Sequence, residues 1–185
     1  MAQWAFFAWA GASALVVSSM MAGHLLTLPT PDQHQLAVGL TSTGSGWRAV
    51  HVLAKACGCS QRVLQSLLEH RADAETAETI LFIGDDPLTA QRARAAGFEF
   101  ETLTAAQLES RYGVQGAPLL VVVSPQNAIV YSGGYAHTEG GPAEDRLVLA
   151  RAKAGQAVEP LPQFGCAVSR SLQKKLDPLA LKYAQ

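Results

Sequence analysis

The chain has 185 residues, 49% of them hydrophobic and 16% charged, and a formal net charge of −1. This length suits one globular domain with additional segments, and the near-neutral charge excludes an electrostatic case for nucleic-acid binding. The chain has 3 cysteines, so a disulfide within the chain would leave one thiol free or engaged elsewhere.

The N-terminal segment, residues 1–30, contains no Asp, Glu, Lys or Arg. Residues 4–28 would form a helix about 37 Å long, which exceeds the hydrocarbon core of a bilayer at about 30 Å. We therefore predict a transmembrane anchor. The alternative is a cleaved secretory signal, although the basic residues that begin such signals are missing. In both interpretations the rest of the chain is exported.

The next elements follow from composition and periodicity. Residues 31–46, rich in Thr, Ser, Gly and Pro, form a predicted linker with a short strand at 36–40. Apolar alternation predicts a strand over 47–56. The following helix, 60–71, has one apolar stripe made of Val63, Leu64, Leu67 and Leu68.

Two further strand–helix units are predicted after that helix. A β-branched and aromatic run predicts a strand at 79–84, and Asp85-Asp86-Pro87 is typical of a helix start. A weaker strand follows at 98–103. Thr104 with Gln107 matches a capping box, so we expect another helix that ends near Gly113.

The last part of the domain changes its pattern. Strands at 119–123 and 128–131 flank a turn and predict a hairpin, and a helix is expected over 142–154. Strands that alternate with helices predict an α/β fold, in which the hairpin adds an antiparallel edge to a parallel sheet. The tail, 156–185, contains the third cysteine and a short helical pattern.

The motif Cys57-Gly58-Cys59 lies between the first predicted strand and its helix. A helix N-terminus presents unpaired N–H groups and a positive dipole end, and both favour a thiolate. Alternate residues near a turn can bring their sulfurs into bonding range, and Gly58 leaves the backbone free to adjust. The tight ring would make such a disulfide readily exchangeable.

Together with this motif, the sequence Gly116-Ala117-Pro118 and the strand–turn–strand run that follows it resemble the thioredoxin-like superfamily. The similarity is greater to bacterial membrane-anchored, extracytoplasmic proteins that look like thiol-disulfide oxidoreductases. It covers residues 47–155 and implies a thioredoxin-like fold, a central mixed sheet flanked by helices, after an N-terminal transmembrane helix. One residue separates the cysteines where the superfamily usually has two.

The resemblance also implies roles and surroundings. Cys57 would be the attacking thiol and Cys59 the resolving thiol, while a cis Pro118 beside the sulfurs would let Ala117 offer backbone groups to an extended substrate. The soluble domain would lie on the periplasmic side of a bacterial inner membrane. Its partners would be exported thiol or disulfide proteins, with the membrane contacted by the N-terminal helix. No cofactor or metal is implied, and the direction of exchange stays open.

Two alternatives and one residue remain open at this stage. Soft thiolate ligands from the two cysteines, with Cys166 or an imidazole, would suit Cu(I), although the histidines lack a diagnostic spacing. A redox-silent domain is the other alternative. Cys166 could resolve a mixed disulfide with Cys57, bridge to Cys59, or anchor the tail.

Overall fold

The computed structural model describes residues 2–25, 27–41, 45–178, 180 and 182–183. Parts of three predicted segments lie outside the described residues: positions 1 and 26 of the N-terminal segment, 42–44 of the linker, and 179, 181 and 184–185 of the tail.

Helices and strands alternate along most of the described chain. The helices are α1 (Ala2–Leu25), α2 (Gln33–Gly39), α3 (Gly58–His70), α4 (Pro87–Ala95), α5 (Ala105–Tyr112), α6 (Asp145–Lys153) and α7 (Arg170–Leu176). The strands are β1 (Trp47–Ala54), β2 (Thr76–Ile83), β3 (Glu99–Leu103), β4 (Gly116–Ala117), β5 (Leu119–Val123), β6 (Ile129–Gly133) and β7 (Cys166–Ala167).

The central sheet has five strands in the order β3-β2-β1-β5-β6. The β1–β2 and β2–β3 pairs are parallel, and the β1–β5 and β5–β6 pairs are antiparallel. Strand β5 is buried along its whole length, as expected for a strand with helices on both faces. The predicted mixed sheet with an antiparallel hairpin is therefore confirmed.

The sheet separates two apolar clusters. On one face, side chains of α3, α4 and α6 pack against the sheet through residues such as Leu67, Ala93 and Val148. On the other face, Leu36 of α2 and Leu108 of α5 do the same. Cys57 belongs to the second cluster, so the cysteine motif begins inside the core.

The predicted strand at 36–40 is wrong, because these residues lie in or directly after helix α2. The Asp32 side chain caps this helix by accepting a hydrogen bond from the Gln35 N–H at 2.7 Å. Leu36 and Leu40 are both buried, and their spacing of four places them on one face of a helix. The cap and this spacing together explain why these residues form a helix and not a strand.

Two predicted helix starts are confirmed. Asp86 accepts a hydrogen bond from the Thr89 N–H at 3.1 Å and is the N-cap of α4. The Thr104 hydroxyl accepts from the Gln107 N–H at 3.2 Å, and the Gln107 side chain accepts from the Thr104 N–H at 2.8 Å. These caps fix the residues at which α4 and α5 begin.

Helix α1 carries large apolar side chains that are exposed, among them Trp4, Phe7 and Trp9. The sequence predicts a membrane-spanning helix here. Within the described part of the chain, however, no helix combines the length and the apolar character that crossing a membrane requires, so the structure does not support that prediction.

Candidate functional site

Cys57 is placed by the junction of β1 and α3. It is the N-cap residue of α3, with extended backbone angles, and its carbonyl accepts the Gln61 N–H at 3.0 Å. The side chain is only 1% exposed, and its thiol donates a hydrogen bond to the Ala117 carbonyl at 3.5 Å. Helix α3 begins two residues earlier than predicted, which puts Cys59 in its first turn.

Cys59 lies at the boundary between core and solvent. Its sulfur accepts a hydrogen bond from the Arg62 guanidinium at 3.4 Å. It borders a cavity of about 310 Å³ that is also lined by Pro118, Tyr135 and Phe164. The hydrogen bond with Cys57, then burial, raise the pKa of the Cys59 thiol far above its usual range, although Arg62 opposes this. Cys59 is therefore a protonated thiol at neutral pH.

The Ala117–Pro118 peptide bond is cis, as predicted. The Ala117 carbonyl contacts the Cys57 thiol, and Pro118 lines the same cavity as Cys59. The prediction that this proline is cis and close to the cysteines is confirmed.

The structure brings Cys166 to the same place. Strand β7 pairs antiparallel with β4, and in this register Cys166 lies opposite Ala117. The Cys57 side chain lies close enough to both Cys166 and Cys59 to shift the pKa of each thiol. All 3 cysteines are free thiols, with Cys57 as the central member.

Cys166 is a more acidic thiol than Cys59. The hydrogen bond from Cys57 lowers the pKa of Cys166 from 9.0 to about 7, assisted by the charge of Lys182 and opposed by burial. A large fraction of Cys166 is therefore thiolate at neutral pH, and the thiolate is the nucleophilic form.

We predict that alkylation of Cys166 speeds up as the pH rises through about 7. Cys57→Ala removes the donor that stabilises the thiolate, so the midpoint should move up toward the ordinary value near 9.0. Site-resolved mass spectrometry of iodoacetamide-treated protein measures both profiles. Cys59→Ala serves as the control and should leave the midpoint near neutral pH, whereas an unshifted midpoint in Cys57→Ala would refute the assignment.

A buried polar network lies beneath the cavity. His51 contacts the Glu78 carboxylate through Nε2 and the Tyr135 hydroxyl through Nδ1, both at 2.9 Å. Burial would raise the pKa of Glu78, but the hydrogen bond and charge of His51 outweigh it, and the pKa is lowered overall. Tyr135 also lines the cavity beside Cys59, so this network reaches the site from the core.

Two other histidines lie near carboxylates. His70 Nε2 is 4.0 Å from an Asp145 carboxylate oxygen, and His137 Nε2 is 3.7 Å from Glu144. Among the described residues, no group of three or more His, Cys, Asp or Glu side chains could hold a metal ion. The described structure therefore gives the Cu(I) alternative no support.

Sequence patterns miss two parts of this site. A strand of two residues such as β7 has too little periodicity to be predicted, and nothing local ties Cys166 to Ala117. The second part is the polar network around His51, which belongs to a strand whose pattern indicates burial only. Gly165 was the available signal, because a glycine directly before a cysteine permits a close backbone approach.

Neither protein-family models nor curated protein sequences show a significant match to this chain. Among solved structures, an uncharacterized conserved protein from Geobacillus kaustophilus has a TM-score of 0.56 at 14% identity, with 76% of this chain and 92% of that chain covered. The hypothetical protein SMc02350 from Sinorhizobium meliloti 1021 gives 0.53 at 16% identity, with 78% and 91% covered.

A secreted Mycobacterium tuberculosis disulfide oxidoreductase homologous to E. coli DsbE is a more distant neighbour. Its TM-score is 0.45 at 11% identity, with 59% of this chain and 81% of that chain covered. At 14% and 16% identity, the similarity to the first two structures shows a shared fold alone. The sheet topology of this chain agrees with the architecture that the resemblance implies.

Proposed function

We propose that this chain, which has the thioredoxin-like fold, exchanges thiols and disulfides with exported proteins through Cys57 and Cys59. The observation that carries the proposal is the position of the Cys57 sulfur. It lies at the N-terminus of α3, against the Ala117 carbonyl and next to cis Pro118. Cys59, two residues further along the chain and on the cavity side, supplies the second thiol.

In the reducing direction, the Cys57 thiolate attacks one sulfur of a substrate disulfide. A bond forms between Cys57 and that sulfur, the substrate S–S bond breaks, and the released substrate thiolate takes up a proton. Cys59 then loses its proton and attacks Cys57. The substrate leaves with two thiols, and Cys57–Cys59 holds the disulfide. The same steps in reverse oxidise a dithiol, and the proposal leaves the direction open.

Ala117 and Pro118 would position the substrate. Strand β4 offers backbone hydrogen-bonding groups directly beside the Cys57 sulfur. An extended peptide added to this short strand would bring its own cysteine opposite Ala117, in the manner of β-augmentation. Affinity would then come from main-chain bonds, which makes sequence-tolerant recognition of cysteine-containing strands the expected mode.

We place the domain on the periplasmic side of a bacterial inner membrane. The absence of charged side chains from residues 1–30 supports export. The exposed aromatic side chains of α1, Trp4, Phe7 and Trp9, are the groups that would associate with the membrane. Fractionation of cells that express the full chain tests this placement, and recovery in the cytoplasm would reject it.

Trapping of a mixed disulfide tests the exchange. The double variant Cys59→Ser/Cys166→Ser leaves Cys57 without a resolving thiol, so a glutathione adduct on Cys57 should accumulate after treatment with oxidised glutathione. Intact-mass and peptide mass spectrometry detect the adduct. The control, Cys57→Ser, keeps the other two cysteines. Cys59 is a protonated thiol and should carry no adduct, and the peptide map separates an adduct on Cys166 from one on Cys57. A folded double variant that stays unmodified would contradict the proposal.

A further inference from the structure

The tail covers the place where a substrate strand would bind. Strand β7 is antiparallel to β4, with Cys166 opposite Ala117 and Ala167 opposite Gly116. Cys57, which would meet the substrate sulfur, is 1% exposed and donates a hydrogen bond to the Ala117 carbonyl, opposite which Cys166 lies. The resident cysteine therefore occupies the position expected for a substrate cysteine.

Close backbone contacts show that this fit is specific. A Cβ atom at position 165 would overlap the Ala117 carbonyl oxygen and lie 2.7 Å from Cδ of Pro118. A Cβ at position 134 would overlap the Pro162 carbonyl oxygen. Gly165 thus lets the tail approach Ala117 and Pro118, and Gly134 lets it approach the end of β6. A side chain at either position would prevent this close contact.

Hydrogen bonds hold the tail on both sides of Cys166. They join Gln163 Nε2 to the Gly116 carbonyl at 3.1 Å and the Val168 N–H to the Gln115 carbonyl at 2.8 Å. The Leu161 N–H also donates to the Tyr131 hydroxyl at 3.2 Å. Anchors before and after Cys166 fix its register against Ala117.

We propose that the tail is a built-in substrate mimic, in which Cys166 forms a reversible disulfide with Cys57 in place of a partner's cysteine. This inference rests on the proposed function, because it uses the Cys57–Cys59 disulfide as its starting point. The Cys166 thiolate attacks the Cys57 sulfur, the Cys57–Cys166 bond forms, and the Cys57–Cys59 bond breaks. The electron pair leaves on the Cys59 sulfur, which takes up a proton.

This exchange has no net oxidation or reduction, so it needs no external reagent. The raised pKa of the Cys59 thiol slows the departure of its thiolate, but protonation of that sulfur then stabilises the product. An exported partner must compete with the tail for β4 and for Cys57. The tail therefore slows exchange with external disulfides, and displacing the tail should speed this reaction.

Disulfide mapping tests this inference in the full chain. Cys59→Ser leaves Cys57 and Cys166, and oxidised glutathione should convert most of the protein to a Cys57–Cys166 link, detected in non-reducing peptide maps. Adding Gly165→Val should lower the linked fraction more than about tenfold, because the effective concentration of the two sulfurs falls. The control Ala157→Val, an exposed tail position, should leave it unchanged.

Three results would overturn the inference. These are a Cys59→Ser protein that keeps its thiols or carries glutathione without a link, an undiminished link in the Gly165→Val background, and an equal loss with Ala157→Val. Cys166→Ser separates the two proposals, since it retains the pair used in exchange. If Cys166→Ser fails to form the Cys57–Cys59 disulfide, the proposed function fails. If it succeeds while Cys59→Ser does not close, only the role of the tail is refuted.

Discussion

Cys57→Ser is expected to reduce disulfide exchange at least about 10³-fold, the scale on which removal of a reacting nucleophile acts. The reason is its central position: Cys57 lies close enough to shift the pKa of both Cys59 and Cys166, and both proposed disulfides contain it. A serine hydroxyl keeps a donor toward the Ala117 carbonyl but cannot form a disulfide. The measurement is the rate at which the protein exchanges with a small disulfide such as oxidised glutathione.

Cys166→Ser is the matched control for this substitution. It makes the same chemical change at a sulfur that the proposed Cys57–Cys59 chemistry does not need, so exchange should continue at a comparable or higher rate. A Cys57→Ser protein that keeps more than a tenth of the wild-type rate would show that the reacting sulfur lies elsewhere.

His51→Ala is expected to lower the free energy of unfolding by about 3–5 kcal/mol, the usual effect of removing one partner from a buried ionic pair. His51 is 1% exposed and Glu78 is 4% exposed. The variant would leave the Glu78 carboxylate buried, with the Asp73 N–H still donating a hydrogen bond to it, and would also create a cavity. Urea unfolding of the full chain measures the change.

Tyr135→Phe is the matched control for the same network. It removes the hydroxyl that contacts His51 at 2.9 Å and keeps the ring, so the expected loss is about 1 kcal/mol. Equal losses in the two variants would contradict this expectation, because removal of His51 and its contact with Glu78 would then cost no more than removal of one hydroxyl group.

The pH dependence of stability follows from the lowered pKa of Glu78. The unfolded chain binds this proton at a higher pH than the folded chain does, so stability falls as the pH drops below the ordinary value of 4.5. Glu78→Gln should flatten this part of the profile. The measurement is urea unfolding at a series of acidic pH values, and an unchanged slope in Glu78→Gln would refute the assigned cause.

Local patterns predicted the sheet and its helices well, because each element carries its own signal. Apolar runs such as 119–123 are long enough to identify a buried strand, and Thr104 with Gln107 marks a helix start through bonds between near neighbours. Where the signal was local but ambiguous, as at 36–40, the cap at Asp32 decided the outcome.

The site itself depends on contacts between distant parts of the chain. The position of Cys57 at a helix start and the cis Pro118 could be predicted, because both follow from a short motif and the resemblance that it carries. The pairing of Cys166 with Ala117 could not be predicted, because it depends on how the tail packs against Gly134 and Pro118, which are distant in sequence. The three candidate sulfurs could therefore be named from the sequence, but their arrangement could not.

A redox titration of Cys166→Ser tests the central claim most directly. The full-length variant is equilibrated with thiol–disulfide buffers of increasing oxidising strength, quenched with acid, and mapped by non-reducing peptide mass spectrometry. We predict one two-electron transition in which a Cys57–Cys59 disulfide replaces two thiols and returns to them on reduction. A folded protein in which this pair stays reduced, or forms only glutathione adducts across the whole range, would contradict the proposed exchange.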